Sequence, residues 1–482
     1  MMKRWLALAT LVALAAGCND AQPLGPDRAP NTLHRVTLAP GVDVDPVLTS
    51  ALSLAGPLDQ LEVLVTYDST ANGDAVARGV LGTGAGIVRF RHLPIVAAVA
   101  TPAQITQISA LPGVVSLYAN KQLEWFLAES VPSIRANLAR VAGYTGKGVG
   151  IAILDSGIDG LYNPDLHYPD HVVQNVKILG SMKDLVTQDP TMPAVGADLF
   201  VENIPDTDDS GGHGSHVAGI VGASGAASGG KYTGVAPGAS LVGISTGETI
   251  AVFWALAGFD WLIDNAAKYN IKAVNNSWGS SAAPFDPNDP TNVATKEVYK
   301  AGIAVVFAAG NDGPGENTLN PYSVAPWVLS VAAGCKTVSP DPTNSASLCA
   351  NGASMVADFS SRGVRGDPLE HPDITAPGAN IVSTRASTGT SMNAENVLSD
   401  ALDCAIPTTF VPYYTCMSGT SMATPHVVGT VALMQEAARG KLTPDQVYRA
   451  ITRNARPMPY YAEWEVGAGY LDAYAAVMAV RR

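Results

Sequence analysis

Gly148-Val-Gly-Ile-Ala-Ile-Leu-Asp155-Ser-Gly157 is an apolar run that ends in an acidic residue and a glycine turn. A run this short, bounded by glycine, reads as a strand buried on both faces, and Asp-Ser-Gly reads as the turn leaving its carboxyl end. The theme recurs downstream. Segments 240–244, 273–276, 304–308 and 328–331 are further apolar strand candidates, and helical stretches lie near 217–223, 252–268 and 292–300. Apolar strands alternating with helices predict an α/β fold with a mostly parallel central sheet covered on both faces. Such sheets bind ligands beyond the carboxyl ends of their strands, so the chemistry is to be sought just after strands.

The composition narrows the function classes. The 482 residues include 29 Lys plus Arg and 42 Asp plus Glu, a net charge of −13, with 47% hydrophobic and 15% charged residues. That apolar content excludes a disordered chain, and the charge content lies below the roughly 25% of an average protein. No nucleic-acid partner is expected, because phosphate backbones are bound by clustered Lys and Arg and no such run occurs. At about 150 residues per domain the length suggests roughly three units.

The first unit is an export segment. Lys3 and Arg4 precede an apolar stretch over 5–16, the length of a signal-peptide core and too short to span a bilayer, so 1–17 is read as a signal peptide. Leu14-Ala-Ala-Gly-Cys18 resembles the bacterial lipobox, which implies lipidation of Cys18 and a membrane anchor. Plain cleavage after Ala16 or Gly17 is the alternative, so the protein is expected as a cell-surface or periplasm-facing lipoprotein, or as a secreted one. Residues 18–56 are rich in Pro, Asp and Gly without periodicity and read as a tether. The second unit covers 57–121. Strand 61–67, helix 74–81, strands 87–91 and 96–100, a helix between Pro102 and Gly113, and strand 114–118 give the β-α-β-β-α-β order of a small ferredoxin-like α+β domain. The third unit, 122–482, holds the α/β repeats.

Three motifs in that unit carry chemistry. Asp155 follows the strand already described. In Gly212-His213-Gly-Ser-His216-Val-Ala-Gly219 a histidine stands where a glycine-rich loop becomes a helix; a metal pair of His213 and His216 lacks a third ligand nearby in sequence. In Ser418-Gly-Thr-Ser421-Met-Ala-Thr-Pro425-His426 a serine precedes a long apolar helix, and Pro425 suggests the first helical turn, which sets Ser421 at or just before the helix N-terminus. Free N–H groups and the positive end of the helix dipole there suit an oxyanion.

Together, in the order Asp, His, Ser, these motifs resemble the subtilisin-like serine proteases, or subtilases. The resemblance implies a three-layer subtilisin-like α/β fold and a secreted endopeptidase made as a proenzyme, acting through an acyl-enzyme without a catalytic cofactor. Ser421 would be the nucleophile, His213 the general base and acid, and Asp155 the residue that holds the imidazole. Ala308-Ala309-Gly310-Asn311 matches the segment whose Asn donates to the oxyanion. Ser277-Trp278-Gly279 matches the stretch that pairs with an extended polypeptide substrate, with Trp278 replacing a more usual aliphatic residue and Ala308, Ala309 and Gly310 forming the facing wall. The 57–121 domain would be the enzyme's own inhibitory propeptide, covering the sheet edge near Ser277, leaving its tail in the cleft, and autoprocessed between Asn120 and Pro132. Asp165 in Asn163-Pro-Asp-Leu166 resembles a structural calcium ligand of the family, and Asp206, Asp208 and Asp209 form an acidic cluster; the metal ligands themselves are left unknown.

Other readings compete. Gly243-Ile-Ser245-Thr-Gly247 fits the nucleophile elbow of an α/β-hydrolase esterase, with His371 or His426 as its histidine. A catalytically silent subtilase scaffold acting as a surface binding protein is a third possibility. A second Gly-Thr-Ser-Met at 389–392 lacks the Pro-His and the apolar helix, so Ser391 is read as a loop residue. The cysteines are five. With Cys18 lipidated, Cys335, Cys349, Cys404 and Cys416 form an even set, and pairing of sequence neighbours is the expected connectivity.

Overall fold

Asp45 accepts a hydrogen bond from the N–H of Val47, and Pro46 takes the first helical position, so a helix begins where an irregular tether was expected. The computed structural model describes residues 37–69, 72–120, 122–125, 130–180, 194–195, 199–208, 211–247, 250–336, 356–388, 400 and 404–482, with 122–125 and 194–195 described by their backbone. The signal segment, Cys18, Asp209, Cys349 and Ser391 lie outside these residues.

The N-terminal unit runs β1 (Asp43–Val44), α1 (Pro46–Leu54), β2 (Leu61–Tyr67), α2 (Gly73–Gly82), β3 (Gly86–Arg89), β4 (Ile95–Ala100), α3 (Pro102–Ser109) and β5 (Val114–Ala119). Its strands obey the period of two. Val63, Val65, Val96, Ala98 and Ala100 pack with Leu48 and Leu52 of α1 and with α2 and α3 on one face. Leu64, Ala97 and Val99 turn to the other face and join the core of the larger unit. Because both faces are covered, the strands read as continuous apolar runs.

The larger unit contributes β6 (Gln122–Trp125), α4 (Ala136–Val141), β7 (Gly150–Asp155), β8 (Val172–Ile178), β9 (Ala194–Val195), β10 (Phe200–Val201) and α5 (His213–Gly222). There follow β11 (Ser240–Ser245), β12 (Ile250–Ala251), α6 (Val252–Asn265), β13 (Ile271–Asn276), β14 (Trp278–Gly279), α7 (Pro290–Lys300), β15 (Ala304–Ala308) and β16 (Val328–Gly334). The chain ends with β17 (Ile374–Pro377), β18 (Ile381–Thr384), β19 (Tyr414–Met417), α8 (Thr420–Ala437), α9 (Pro444–Arg453), α10 (Glu463–Val466) and α11 (Ala473–Val480). The central sheet has the order β10-β8-β11-β7-β13-β15-β16-β17, parallel throughout except for β10 against β8. Helices α5 and α8 cover one face and α6 and α7 the other, which makes three layers. Among the described residues no helix is long and apolar enough to cross a membrane.

The N-terminal unit sits on α6 and α7. Asp260 of α6 accepts the backbone N–H groups of Arg91 (3.1 Å) and His92 (2.8 Å), and Asp264, one turn on, meets His92 Nε2 at 2.6 Å and Arg91 Nη1 at 3.1 Å. At the other end of α6 the side chain of Asn120 accepts the N–H of Phe253 at 2.7 Å, near the helix start. The chain then enters the larger unit as a strand. Segment β6 lies between β12 and β14 and is antiparallel to both, with Leu123 opposite Ile250, Glu124 opposite Gly279 and Trp125 opposite Trp278.

Candidate active site

Asp155 ends β7, at the centre of the sheet, and the helix that begins with His213 packs across that strand end. His213 Nδ1 lies 2.7 Å from Asp155 Oδ1, both residues being buried. Oδ1 also accepts the N–H of Ser156 at 2.8 Å, whereas Oδ2 is buried with no hydrogen-bond partner among the described residues. Gly214 permits the approach: a Cβ there would stand 2.2 Å from the Gly157 carbonyl oxygen and 3.0 Å from Asp155 Oδ1.

The helix start is fastened from below. Asp208 accepts the N–H of Gly212 at 3.1 Å and the hydroxyl of Thr388 at 3.1 Å. Burial pushes its carboxyl up to about 7, the largest of several causes. The acidic cluster is therefore partly interior, contrary to the usual solvated loop, since Asp208 is buried and Asp206 Oδ1 takes the N–H of Asp208 at 3.0 Å.

Ser421 is the second residue of α8, so its N–H has no acceptor within the helix. Its hydroxyl donates to the carbonyl oxygen of Ser277 at 2.9 Å, and Ser277 Oγ donates back to the Ser421 carbonyl at 2.6 Å. That second bond has a cause in the sequence. Residue 425 would normally donate its N–H to carbonyl 421, and Pro425 has none. The proline lies in the second helical turn, not the first, because the freed carbonyl finds a side-chain donor. Asn311, just beyond β15, has its Oδ1 bound by both the N–H and the hydroxyl of Thr420, 2.9 Å each, which leaves Nδ2 as the end with no partner among the described residues.

All four of these residues stand beyond the carboxyl ends of parallel strands or at helix starts on the same side of the sheet. A family model described as the subtilase family matches residues 146–470. Serine protease AprX of Bacillus subtilis (strain 168) is 33% identical over 376 residues, which span 74% of this chain and 73% of that relative. The chain is a subtilase. Subtilisin E of the same strain is 30% identical to this subtilase over 315 residues, 64% of the chain and 61% of the relative. The crystal structure of fervidolysin from Fervidobacterium pennivorans, a keratinolytic enzyme related to subtilisin, shares the fold with a TM-score of 0.61 at 21% identity. That match covers 87% of the subtilase and 61% of the fervidolysin chain.

The remaining sequence expectations for the subtilase meet specific surroundings. Trp278 joins the groove through its backbone, while its indole is buried, donates to the Leu154 carbonyl at 3.0 Å and meets Phe307 edge-on at 4.8 Å. Ala308 and Ala309 are buried, and Gly310 donates its N–H to Thr420 Oγ1 at 3.2 Å. Ser245 is no elbow. It is the last residue of β11, fully buried, with its hydroxyl directed to the carbonyls of Ser156 (2.8 Å) and Thr207 (3.1 Å). His216 Nε2 faces the Thr415 carbonyl at 3.1 Å, and burial lowers the ring to about 3.

Asp165 does not fit a calcium ligand. Its Oδ2 accepts the Tyr414 hydroxyl at 2.5 Å, and its Oδ1 accepts the Ala227 N–H at 3.0 Å and the Ser224 hydroxyl at 3.3 Å, so it is surrounded by proton donors where a cation needs oxygen acceptors. Among the described residues no group of three or more His, Cys, Asp or Glu could hold a metal. Cys404 and Cys416 form a disulfide, and Cys335 is disulfide-bonded as well, its expected partner lying outside the described residues. Two residues were not anticipated from sequence. Thr420 orients Asn311, and Asn320 is buried beside the groove.

Proposed function

We propose that this subtilase is a serine endopeptidase that hydrolyses peptide bonds in extended polypeptides, with Ser421, His213, Asp155 and Asn311 as its catalytic residues. The 2.7 Å contact of His213 with Asp155, at the sheet end where Ser421 heads α8, is the observation that carries this reading. In the reaction the Ser421 hydroxyl leaves the Ser277 carbonyl and passes its proton to His213 Nε2 as Oγ bonds to the substrate carbonyl carbon. Asp155 holds Nδ1–H and balances the imidazolium. The negative oxygen is stabilised by Asn311 Nδ2 and the Ser421 N–H. His213 returns the proton to the leaving amine, and water, deprotonated by the same ring, releases the acyl group. No cofactor is needed.

The N-terminal unit acts as an inhibitory propeptide. Its support is β6, which occupies the antiparallel position between β12 and β14 that an extended substrate would take. The chain is exported on residues 1–17 and held at a membrane through lipid on Cys18. Digestion of an unfolded protein tests the enzymatic reading. Ser421→Ala should abolish both digestion and precursor processing, and Ser245→Ala should keep both; digestion surviving Ser421→Ala would refute it. N-terminal sequencing of the mature chain should find its start between Asn120 and Pro132, and a start upstream of Leu61 would refute the propeptide role.

A further inference from the structure

Parallel pairing of β13 with β15 ends at Asn276 and Phe307, and beyond those residues the two chains part. One continues as Ser277-Trp278-Gly279 and the other as Ala308-Ala309-Gly310, the two sides of the groove. Asn320 spans the gap. Its Nδ2 donates to the carbonyl oxygen of Trp278 and to that of Ala308, 3.0 Å each. Its Oδ1 accepts the Tyr322 N–H at 3.2 Å, and its own N–H donates to Ala309 at 2.8 Å. The residue is 1% exposed, and both hydrogens of its carboxamide are used.

The contact stands in for a missing rung of the ladder. Adjacent residues of an antiparallel strand turn their N–H and C=O groups to opposite sides. With the Trp278 carbonyl held by Asn320, it is Gly279 that presents its backbone to the chain lying in the groove. Gly279 must also be glycine for this, since a Cβ there would sit 2.4 Å from Asn320 Nδ2. Removing the carboxamide would free two buried carbonyls and let the walls change their separation.

We propose that Asn320 is a positioning residue for substrate selection, fixing the distance between the 277–279 and 308–310 walls and so the side chain accepted just before the scissile bond. The inference rests on the proteolytic reading of that groove. The test uses the processed full-length enzyme, with active sites titrated, on peptide anilides carrying Ala, Leu or Phe before the scissile bond. In Asn320→Ala and Asn320→Leu the ratio of kcat/KM between best and worst substrate should fall at least about tenfold, mainly through KM, as expected when a fitted pocket loosens.

Asn320→Asp supplies a readout that a merely structural role would not move. Its carboxylate would face two carbonyls, whereas its protonated form can donate to one, so discrimination should recover as pH is lowered. A ratio of substrates cancels the common loss from His213 protonation. Unchanged ratios in Asn320→Ala, or pH-independent ratios in Asn320→Asp, with hydrolysis still dependent on Ser421, would overturn the role of Asn320 alone. Hydrolysis that survives Ser421→Ala would overturn the proteolytic reading with it.

Discussion

Thr420 takes the oxygen of the Asn311 carboxamide through its N–H and its hydroxyl, and this settles which end of the amide remains to donate. Asn311→Ala should therefore lower kcat by on the order of 100-fold with little change in KM, because a donor to the transition-state oxygen is lost. Thr420→Val, which keeps the backbone anchor and loses the hydroxyl, should cost less; steady-state kinetics on a peptide anilide measure both. The motifs that hold Asp155, His213 and Ser421 were legible because the neighbours of these residues are constrained by contact, as Gly214 is by the Gly157 carbonyl. Asn320 was not, because its partners are backbone carbonyls far away in sequence that carry no side-chain signature. The direction of the Trp278 indole was equally hidden, since one residue of strand register decides it.

Helix α8 begins with a carbonyl that its own fourth-next residue cannot satisfy, and Ser277 supplies the donor. Ser277→Ala should destabilise the fold by about 1–3 kcal/mol through an unpaired buried carbonyl. In a Pro425→Ala background the restored N–H can take that carbonyl, so the same substitution should cost less. Urea unfolding of the four proteins of this cycle, all in Ser421→Ala to prevent self-digestion, measures the coupling. At α5 the sign of the pH effect follows from Asp208. Its carboxyl is raised to about 7, so the stability it contributes is complete below its unfolded value and is lost as pH rises through about 7. Asp208→Asn should consequently raise the melting temperature relative to the parent at pH 8 and change it little at pH 4. Among the elements, the apolar strands β7, β11, β13, β15 and β16 were read from sequence. Strand β8 was missed because its buried Gln174 and Asn175 break the apolar run, Asn175 binding the Ile158 carbonyl (2.7 Å) and the Thr207 hydroxyl (2.8 Å). Helix α1 was missed because only Leu48 and Leu52 mark its buried side.

The two units of the molecule share a core, since one face of the N-terminal sheet packs on α6 and α7. The β-α-β-β-α-β order over 61–119 was visible in the sequence, but the grip of Asp260 and Asp264 on residues 91 and 92 was not, because two aspartates one turn apart on an otherwise apolar helix carry no sign of partners that are mostly backbone N–H groups. Asp260→Ala removes the acceptor of two backbone N–H groups. At roughly 1.5–3 kcal/mol for a hydrogen bond to a charged group, an N-terminal unit cleaved as proposed should leave at least about tenfold faster than in the parent. A shortened lag before full activity would report this. The most direct test of the molecule's function is covalent labelling with a phosphonofluoridate, which reacts with a serine hydroxyl activated by a neighbouring base. Mass mapping should place the label on Ser421 in the wild type and lose it in His213→Ala; labelling of another serine, or of Ser421 equally in both proteins, would contradict the Asp155–His213–Ser421 assignment.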